Sequence, residues 1–285
     1  MSFNLTELAD FLKRHPRLLV LTGAGMSTAS GIPDYRDQDG MRRGNAPIHG
    51  PDFLRHDAVR RRYWARSMAG YPILARAAPN HGHLALAQLQ AQGRIGALIT
   101  QNVDGLHTRA GSAGVLELHG NIHQVVCLEC HAAFSRAFVQ TQLHDANPDL
   151  AAVNTTPAPD GDAHVEPDAL AAFHIPWCVH CGGMLKPDVV FFGDGVPAER
   201  TTGALALMDR ADALLVIGTS LIVFSGFRFC RMAQAAGKPI GAVNLGKTRA
   251  DDMLSFKVEA AAEQVLPALL AYLPAAYPLL ERRMN

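Results

Sequence analysis

Four cysteines form two Cys-x-x-Cys pairs in the middle of the 285-residue chain, Cys127 with Cys130 and Cys178 with Cys181. Four thiolates fill the tetrahedral coordination that zinc takes in structural sites. Such a closed set leaves no open position for a substrate or a catalytic water, so we expect one structural zinc ion. Unrelated reduced thiols are the alternative, because a long segment separates the two pairs.

A glycine-rich turn near the start of the chain has the chemistry of a phosphate site. Gly23-Ala24-Gly25 follows a short apolar run and precedes an expected helix start. Glycine lets the backbone approach a pyrophosphate, and helix N-terminal N–H groups bind it. Thr28 stands where a dehydrogenase fingerprint would have its third glycine, which disfavours a plain Rossmann oxidoreductase.

Two later strand ends carry matching polar groups. Gly218-Thr219-Ser220 offers a turn with hydroxyls for phosphate, and Asn244 offers an amide for a ribose hydroxyl. Ligands of open α/β sheets bind at the carboxyl ends of the strands. We therefore expect these groups to converge with the first glycine turn on one dinucleotide site.

The elements that must position these groups alternate along the chain. Short apolar runs predict strands over residues 17–22, 95–100, 115–118, 213–217 and 240–244. Helical spacing predicts helices over residues 3–14, 84–92, 204–210 and 227–236. Alternating strands and helices favour an α/β fold, a Rossmann-like parallel sheet, here with an inserted small zinc-binding module.

Two segments interrupt the alternation and suggest the domain organisation. Residues 121–185 hold the four cysteines, a polar stretch and little apolar periodicity, which indicates the inserted zinc-binding module. Residues 37–79 lack strand character, and we interpret them as a loop with short helices over the cofactor. With the zinc-binding module they would form the smaller lobe, and the substrate would enter between the two lobes. The Rossmann-like dinucleotide-binding lobe then comprises residues 1–36, 80–120 and 186–285.

Bulk composition excludes several classes of function. Lys+Arg and Asp+Glu are both 26, so the formal net charge is zero, and we expect no nucleic-acid or membrane partner. The first residues lack the basic and apolar pattern of a secretion signal, and no apolar run approaches the ~20 residues of a membrane helix. We expect a cytoplasmic protein, and the composition does not indicate an oligomeric state.

Taken together, the motifs resemble the sirtuin (Sir2) family in content and order over nearly the whole chain. Finer features resemble its class II branch, namely Arg62-Tyr63-Trp64-Ala65-Arg66 and the long module that ends at Lys186-Pro187-Asp188. The segments that carry the resemblance are GAGMSTASGIPDYR (23–36), TQNVDGLH (100–107), LHG (118–120), the two cysteine pairs, VVFFGD (189–194), GTS (218–220) and Asn244.

The resemblance implies NAD-dependent removal of an acyl group, most simply acetyl, from lysine side chains of proteins. It implies that the acyl oxygen attacks the nicotinamide-bearing ribose carbon and that a base then deprotonates a ribose hydroxyl. The products are free lysine, nicotinamide and O-acyl-ADP-ribose. His119 matches the family's base, and a histidine pKa near neutrality suits that task. Asn102 and Asp104 match the residues beside the ribose and the nicotinamide amide, which completes the catalytic set.

The resemblance also implies binding residues. The loop 34–36 matches a flexible loop that shields the reacting carbon from water, and Ala262 matches an adenine contact. The candidate cofactor-binding residues are Gly23, Ala24, Gly25, Ser27, Pro33, Asp34, Tyr35, Arg36, Gln101, Asn102, Val103, Asp104, Gly218, Thr219, Ser220, Asn244, Leu245, Gly246 and Ala262. The candidate substrate residues are Val190, Phe191, Phe192 and Gly193, along which a peptide would add as a strand.

Each assignment has a structural alternative. His119 could be a core histidine, Asn102 and Asp104 could cap a helix over 105–109, and Ser27 could be an N-cap only. Tyr63 and Arg66 share a helix face, where they could bind an acidic acyl group or lie in solvent. For the whole protein, the alternatives are a protein mono-ADP-ribosyltransferase that uses the same NAD site and a non-catalytic NAD-sensing or zinc-binding module.

Overall fold

The structure is a computed structural model that describes residues 5–34, 41, 47–150 and 170–274. Its larger sheet contains β1 (Leu18–Thr22), β2 (Ala97–Thr100), β3 (Leu116–Glu117), β7 (Ala213–Ile217), β8 (Ile240–Val243) and β9 (Phe256–Val258). All neighbours pair in parallel, in the order β3-β2-β1-β7-β8-β9. The predicted parallel α/β sheet is confirmed, and β9 is a strand that the sequence analysis did not predict.

Helices cover both faces of this sheet. Successive strand residues point to opposite faces, so a strand buried on both sides is apolar along its length, as β1 is from Leu18 to Leu21 before it ends at Thr22. Leu18 and Val20 pack on one face with α1 (Leu5–Arg14), α4 (His81–Ala91) and α9 (Ala262–Tyr272). Leu19 and Leu21 pack on the other face with α7 (Ala198–Arg210) and α8 (Phe224–Ala235). The short α5 (Leu106–Arg109) follows β2.

A second, antiparallel sheet forms the smaller lobe. Its strands are β4 (Gly120–Cys127), β5 (Ala133–Ser135) and β6 (Leu185–Val189), in the order β5-β4-β6. Its helices are α2 (Gly50–Arg55), α3 (Asp57–Arg76) and α6 (Arg136–Ala146). Because β6 pairs with β4, residues 186–189 belong to the small sheet rather than to the Rossmann-like sheet.

The segment 37–79 differs from its sequence-based interpretation. The expectation of short helices over the cofactor is wrong for its second half, because α3 is one helix of 20 residues. The arginine-rich start and the internal Pro72 obscured a buried face that includes Trp64, Met68 and Leu74. The zinc module likewise has more apolar periodicity than expected, since Val139 and Leu143 are buried one turn apart on α6.

The two sheets meet where β3 passes into β4, and His119 lies at this junction. The next residue, Gly120, has φ +91°, and a Cβ there would collide with the carbonyl oxygen of Asp188. Only glycine fits this close approach without strain. The sharp turn at Gly120 therefore fixes where the His119 side chain leaves the backbone.

None of the described helices is long and apolar enough to cross a membrane.

Candidate functional site

A cavity of ≈ 1190 Å³ opens at the carboxyl ends of the parallel strands and extends to residues of the smaller lobe. His119 lines it, together with most of the predicted cofactor residues. These are Gly23, Ala24, Gly25, Ser27, Pro33, Asp34, Gln101, Asn102, Val103, Asp104, Gly218, Thr219, Ser220, Asn244, Leu245 and Ala262. Gly246 is not part of the lining, although its carbonyl accepts a hydrogen bond from Asn244 Nδ2. Tyr35 and Arg36 lie outside the described residues.

The floor of the cavity is made of two glycine turns packed backbone against backbone. The Gly25 N–H donates to the Gly218 carbonyl at 2.8 Å. Gly218 has φ +60°, and a Cβ there would lie 2.6 Å from the Met26 nitrogen. A Cβ on Gly23 would lie 2.6 Å from Thr219 Cβ. The two turns can pack this closely only because they are glycine, and both line the cavity at the strand ends, which is where a pyrophosphate would meet the main chain.

Beside the floor, three polar side chains are joined to one another. Ser27 Oγ donates to Asp104 Oδ2 at 2.6 Å, and Asn102 Nδ2 donates to Ser27 Oγ and to the Gly23 carbonyl at 3.0 Å each. The second Asp104 oxygen accepts the Leu106 N–H at 2.9 Å. Asp104 thus accepts the first N–H of α5 and also lines the cavity, and its predicted role beside the cofactor stays a prediction. The Ser27 side chain does not cap the short helical turn over Thr28–Ser30, and its hydroxyl donates to Asp104 instead.

His119 is held between two oxygen atoms. Its Nδ1 lies 2.9 Å from the Gln101 carbonyl oxygen and its Nε2 lies 2.7 Å from Ser225 Oγ. A carbonyl only accepts, so Nδ1 carries the proton and the neutral ring has its lone pair on Nε2. Burial lowers the pKa of His119, the bond to Gln101 raises it, and the charge of Arg200 lowers it further. The ring is thus neutral near pH 7, as a general base must be.

A buried hydrogen-bonded chain supports the strand end below Asn102. Thr22 Oγ1 donates to Thr100 Oγ1 at 2.9 Å, so the 2.9 Å contact of His107 Nε2 with Thr22 must be a donation from the imidazole. Thr100 Oγ1 in turn accepts the backbone N–H of Asn102 at 3.1 Å. His107 faces His83, with ring centroids 4.8 Å apart. Burial lowers the pKa of His107 to about 3 and that of His83 to about 4, so both rings are neutral.

The predicted substrate segment forms one wall of the cavity. Val190, Phe191, Phe192 and Gly193 all line it. Phe192 also forms a parallel bridge with His49, and its carbonyl accepts the Gly50 N–H at 2.9 Å. Of the pair on α3, Tyr63 lines the cavity and Arg66 does not.

The sequence analysis missed a further stretch of the lining, residues 221–225, which follow the Gly218 turn. Ile222, Val223 and Phe224 are apolar but 38%, 41% and 54% exposed. The sequence signal for this stretch is an apolar run directly after a glycine turn. This stretch also contains Ser225, the partner of His119.

The four paired cysteines converge as predicted. Their Sγ atoms all lie within 4.8 Å of one another, with 3.5 Å between Cys127 and Cys181 and 3.7 Å between Cys130 and Cys178. Zinc–sulfur bonds of about 2.3 Å in a tetrahedron place the sulfurs ~3.8 Å apart. The donor set therefore fits a structural zinc ion. None of the four lines the cavity, so the metal site is separate from the candidate active site.

Known proteins resemble the chain over nearly all of its length. The model of the Sir2 family matches residues 23–225. NAD-dependent protein deacetylase 3 of Pseudomonas syringae pv. tomato is 51% identical over 267 residues, which cover 92% of this chain and 95% of the relative. NAD-dependent protein deacetylase 2 of Bradyrhizobium diazoefficiens is 49% identical over 264 residues, covering 93% and 97%. A solved complex of Sir2 with a p53 peptide and NAD+ superposes with a TM-score of 0.77 at 29% identity, covering 95% and 98%.

Proposed function

The chain belongs to the Sir2 family, and we propose that it is an NAD-dependent protein-lysine deacetylase. It takes an acetyl group from a lysine side chain, consumes NAD and one water molecule, and releases the free lysine, nicotinamide and O-acetyl-ADP-ribose. The observation that carries the proposal is the His119 ring, whose unprotonated Nε2 faces a cavity with a glycine floor suited to a dinucleotide. The deacetylase names of relatives about half identical to this chain support the same activity.

NAD is a substrate of this reaction and supplies a ribose carbon from which nicotinamide can leave. We assign the pyrophosphate to the turns at Gly23 and Gly218, which line the cavity at the carboxyl ends of the strands and pack against each other through their backbones. Asn244, at the end of β8, is assigned to a ribose hydroxyl of the adenosine half, and Ala262 to the adenine. Asn102 and Asp104 are assigned to the nicotinamide end, where the Ser27 hydroxyl holds them together.

His119 is assigned as the general base. Its Nε2 accepts a proton from a ribose hydroxyl, which lets that oxygen attack the acyl carbon. The Gln101 carbonyl stabilises the imidazolium that forms, because it accepts the Nδ1–H that the charged ring donates more strongly. Asp34, which lines the cavity, is assigned to shielding the reacting carbon from water.

The acyl-lysine peptide is assigned to the groove between residues 190–193 and 221–224. β6, which leads into the first of these walls, is an edge strand of the small sheet, so an extended peptide can pair with its main chain. Tyr63, Leu74 and Ile122 also line the cavity, and their largely apolar side chains suit a short apolar acyl chain. A Sir2 structure bound to a propionylated peptide, similar at a TM-score of 0.73 and 29% identity over 94% of this chain and 98% of that one, supports this assignment.

One experiment tests the proposed function directly. The protein is incubated with NAD and an acetyl-lysine peptide, and the products are measured by mass spectrometry. We expect deacetylated peptide, nicotinamide and O-acetyl-ADP-ribose in equal amounts, and no reaction with the unacetylated peptide. Peptide that carries ADP-ribose while its acetyl group remains would instead indicate a mono-ADP-ribosyltransferase and would overturn the proposal.

A further inference from the structure

Ser225 makes the shortest contact of the His119 ring. It is the second residue of α8, and its Oγ lies 2.7 Å from Nε2, the nitrogen assigned to proton transfer. Ser225 also lines the cavity, next to the apolar wall that precedes it. The hydroxyl therefore lies directly beside the nitrogen that would take the substrate proton.

The direction of this hydrogen bond follows from the other side of the ring. Since the Gln101 carbonyl fixes the proton on Nδ1, Nε2 of the neutral ring can only accept, and the Ser225 hydroxyl must donate. A protonated ring would carry N–H groups on both nitrogens. The same serine oxygen would then accept, because a hydroxyl has lone pairs as well as a proton.

The packing of α8 holds the serine in this place. A Cβ on Gly226, the next residue, would collide with the side-chain amide of Gln101. That amide is itself fixed, since its Nε2 donates to the Thr22 carbonyl at 3.2 Å and to Thr219 Oγ1 at 3.1 Å. Gln101 thus binds the His119 ring through its main-chain carbonyl and packs against the start of α8 through its side chain. The same residue therefore positions both hydrogen-bond partners of the ring, its own carbonyl and the Ser225 hydroxyl.

Building on the proposed function, we propose that Ser225 is the positioning residue of the base His119. Its hydroxyl orients the neutral ring with Nε2 toward the cavity, and its oxygen accepts the Nε2–H after the ring has taken a proton. In that step the O–H bond of the ribose hydroxyl breaks and the new N–H bond forms on Nε2. Ser225 keeps its own proton throughout: its O–H turns away from the single Nε2 lone pair when the ribose hydroxyl donates to that nitrogen, and its oxygen then accepts the new Nε2–H, so the hydrogen bond reverses its direction.

Several charged groups of neighbouring elements face the same region. Arg200 of α7 lowers the pKa of His119, and it is itself paired with Asp188 of β6 at 2.6 Å. Glu117 of β3 precedes the histidine by two positions, and Asp104 and Arg228 line the cavity. A substitution at Ser225 leaves all of these charged side chains in the chain, and comparison of Ser225→Ala with Ser225→Thr separates loss of the hydroxyl from a change in the burial of the His119 ring.

The reversal has a measurable consequence. A hydrogen bond to a charged group is stronger than one to a neutral group, so Ser225 stabilises the imidazolium more than the imidazole. Removal of the hydroxyl should therefore lower the pKa of the base by about half a unit to one unit. Substitution of a residue that only supported the fold would change the rate by the same factor at every pH.

The test is the pH dependence of kcat/KM for NAD, which reports groups of the free enzyme. We expect Ser225→Ala to move the acidic midpoint to lower pH by about half a unit to one unit and to reduce kcat severalfold. Ser225→Thr, which keeps the hydroxyl, should restore the wild-type midpoint. The control is Ser112→Ala, which removes a buried hydroxyl that has no partner among the described residues and should leave the midpoint unchanged.

A second measurement does not depend on turnover. Nitrogen-15 NMR of histidine-labelled protein, with the His119 signals identified by their loss in His119→Gln, should show the proton on Nδ1 and a lower pKa in Ser225→Ala than in wild type. An unchanged midpoint and an unchanged NMR pKa in Ser225→Ala would overturn the positioning role while leaving the deacetylase proposal standing. Wild-type protein without deacetylation would overturn the proposed function, and the NMR titration would still decide the role of Ser225.

Discussion

Ser27 and Asp104 lie 77 residues apart in the chain, and a hydrogen bond of 2.6 Å joins Ser27 Oγ to Asp104 Oδ2. The two residues are only 1% and 5% exposed. The bond ties the loop after β1 to the loop after β2, and these two loops carry the pyrophosphate cradle and the nicotinamide-end residues of the proposed site. The geometry of the two halves of the site is therefore coupled.

Removal of the Ser27 hydroxyl should disturb both stability and NAD binding. Ser27→Ala leaves the buried Asp104 carboxylate short of one donor, which costs about 1–3 kcal/mol. We expect a lower free energy of unfolding in urea and a weaker NAD affinity by calorimetry. Ser255→Ala, at an exposed serine, is the control and should change neither quantity. Equal NAD affinity in wild type and Ser27→Ala would contradict the coupling.

The zinc ion should hold the small sheet together and take no part in chemistry. We expect about one zinc per chain by elemental analysis, and loss of the metal in Cys130→Ala because one of four ligands is missing. Metal loss should lower the midpoint temperature of unfolding, since the free energy of zinc binding contributes to the free energy of folding. Cys230→Ala, at the buried fifth cysteine, should keep the zinc. Metal-free protein that melts at the wild-type temperature would refute the structural role.

Acid should destabilise the protein through the buried histidines. The folded-state pKa values of His83 and His107, about 4 and about 3, lie below the ordinary 6.5. The unfolded chain therefore binds protons that the folded chain does not. The stability that the two neutral histidines contribute is complete above about pH 6.5 and is lost as the pH falls toward 3. His107→Gln keeps an amide donor for Thr22 but does not titrate, so its free energy of unfolding should fall less between pH 7 and pH 4. His81→Gln, at an exposed position, is the control, and identical pH dependence of His107→Gln and wild type would exclude the effect.

The glycine floor should tolerate no side chain. Gly218→Ala combines a positive φ with a Cβ only 2.6 Å from the Met26 nitrogen, so it should lower stability and abolish detectable NAD binding. Gly237→Ala is a matched control, because its φ is +65° but nothing lies within 4 Å of the added Cβ. It should show only the backbone strain of about 1–2 kcal/mol and bind NAD normally. Similar losses in both variants would mean that the close approach of the turns does not matter.

The parallel sheet and the cysteine cluster were predictable because their signals are local. A strand buried on both faces is apolar throughout, as at residues 213–217, and Cys-x-x-Cys spacing already brings two sulfurs together. The long α3 was not predictable in the same way. Its surface is rich in arginine and it contains Pro72, so the buried positions are visible only once the small sheet gives them a partner.

The hydrogen bonds inside the site could not be predicted from the sequence, because they join residues that only the tertiary fold brings together. The Gly-rich turns and His119 stood out by residue type and order, whereas nothing near Ser225 in the sequence indicates that it meets a histidine 106 positions away. The same holds for the chain from His107 through Thr22 to Thr100, which joins three elements of the fold. Sequence patterns identified the groups with chemistry, and the fold determined which of them are hydrogen-bonded partners.

The central claim is that the imidazole of His119 acts as the base above a bound NAD. Its most direct test measures deacetylation and NAD affinity of His119→Ala beside His81→Ala, an exposed histidine as control. The account predicts that kcat of His119→Ala falls by about 10²–10⁴-fold while its Kd for NAD stays within about threefold of wild type, and that His81→Ala behaves as wild type. Wild-type turnover by His119→Ala would contradict the account.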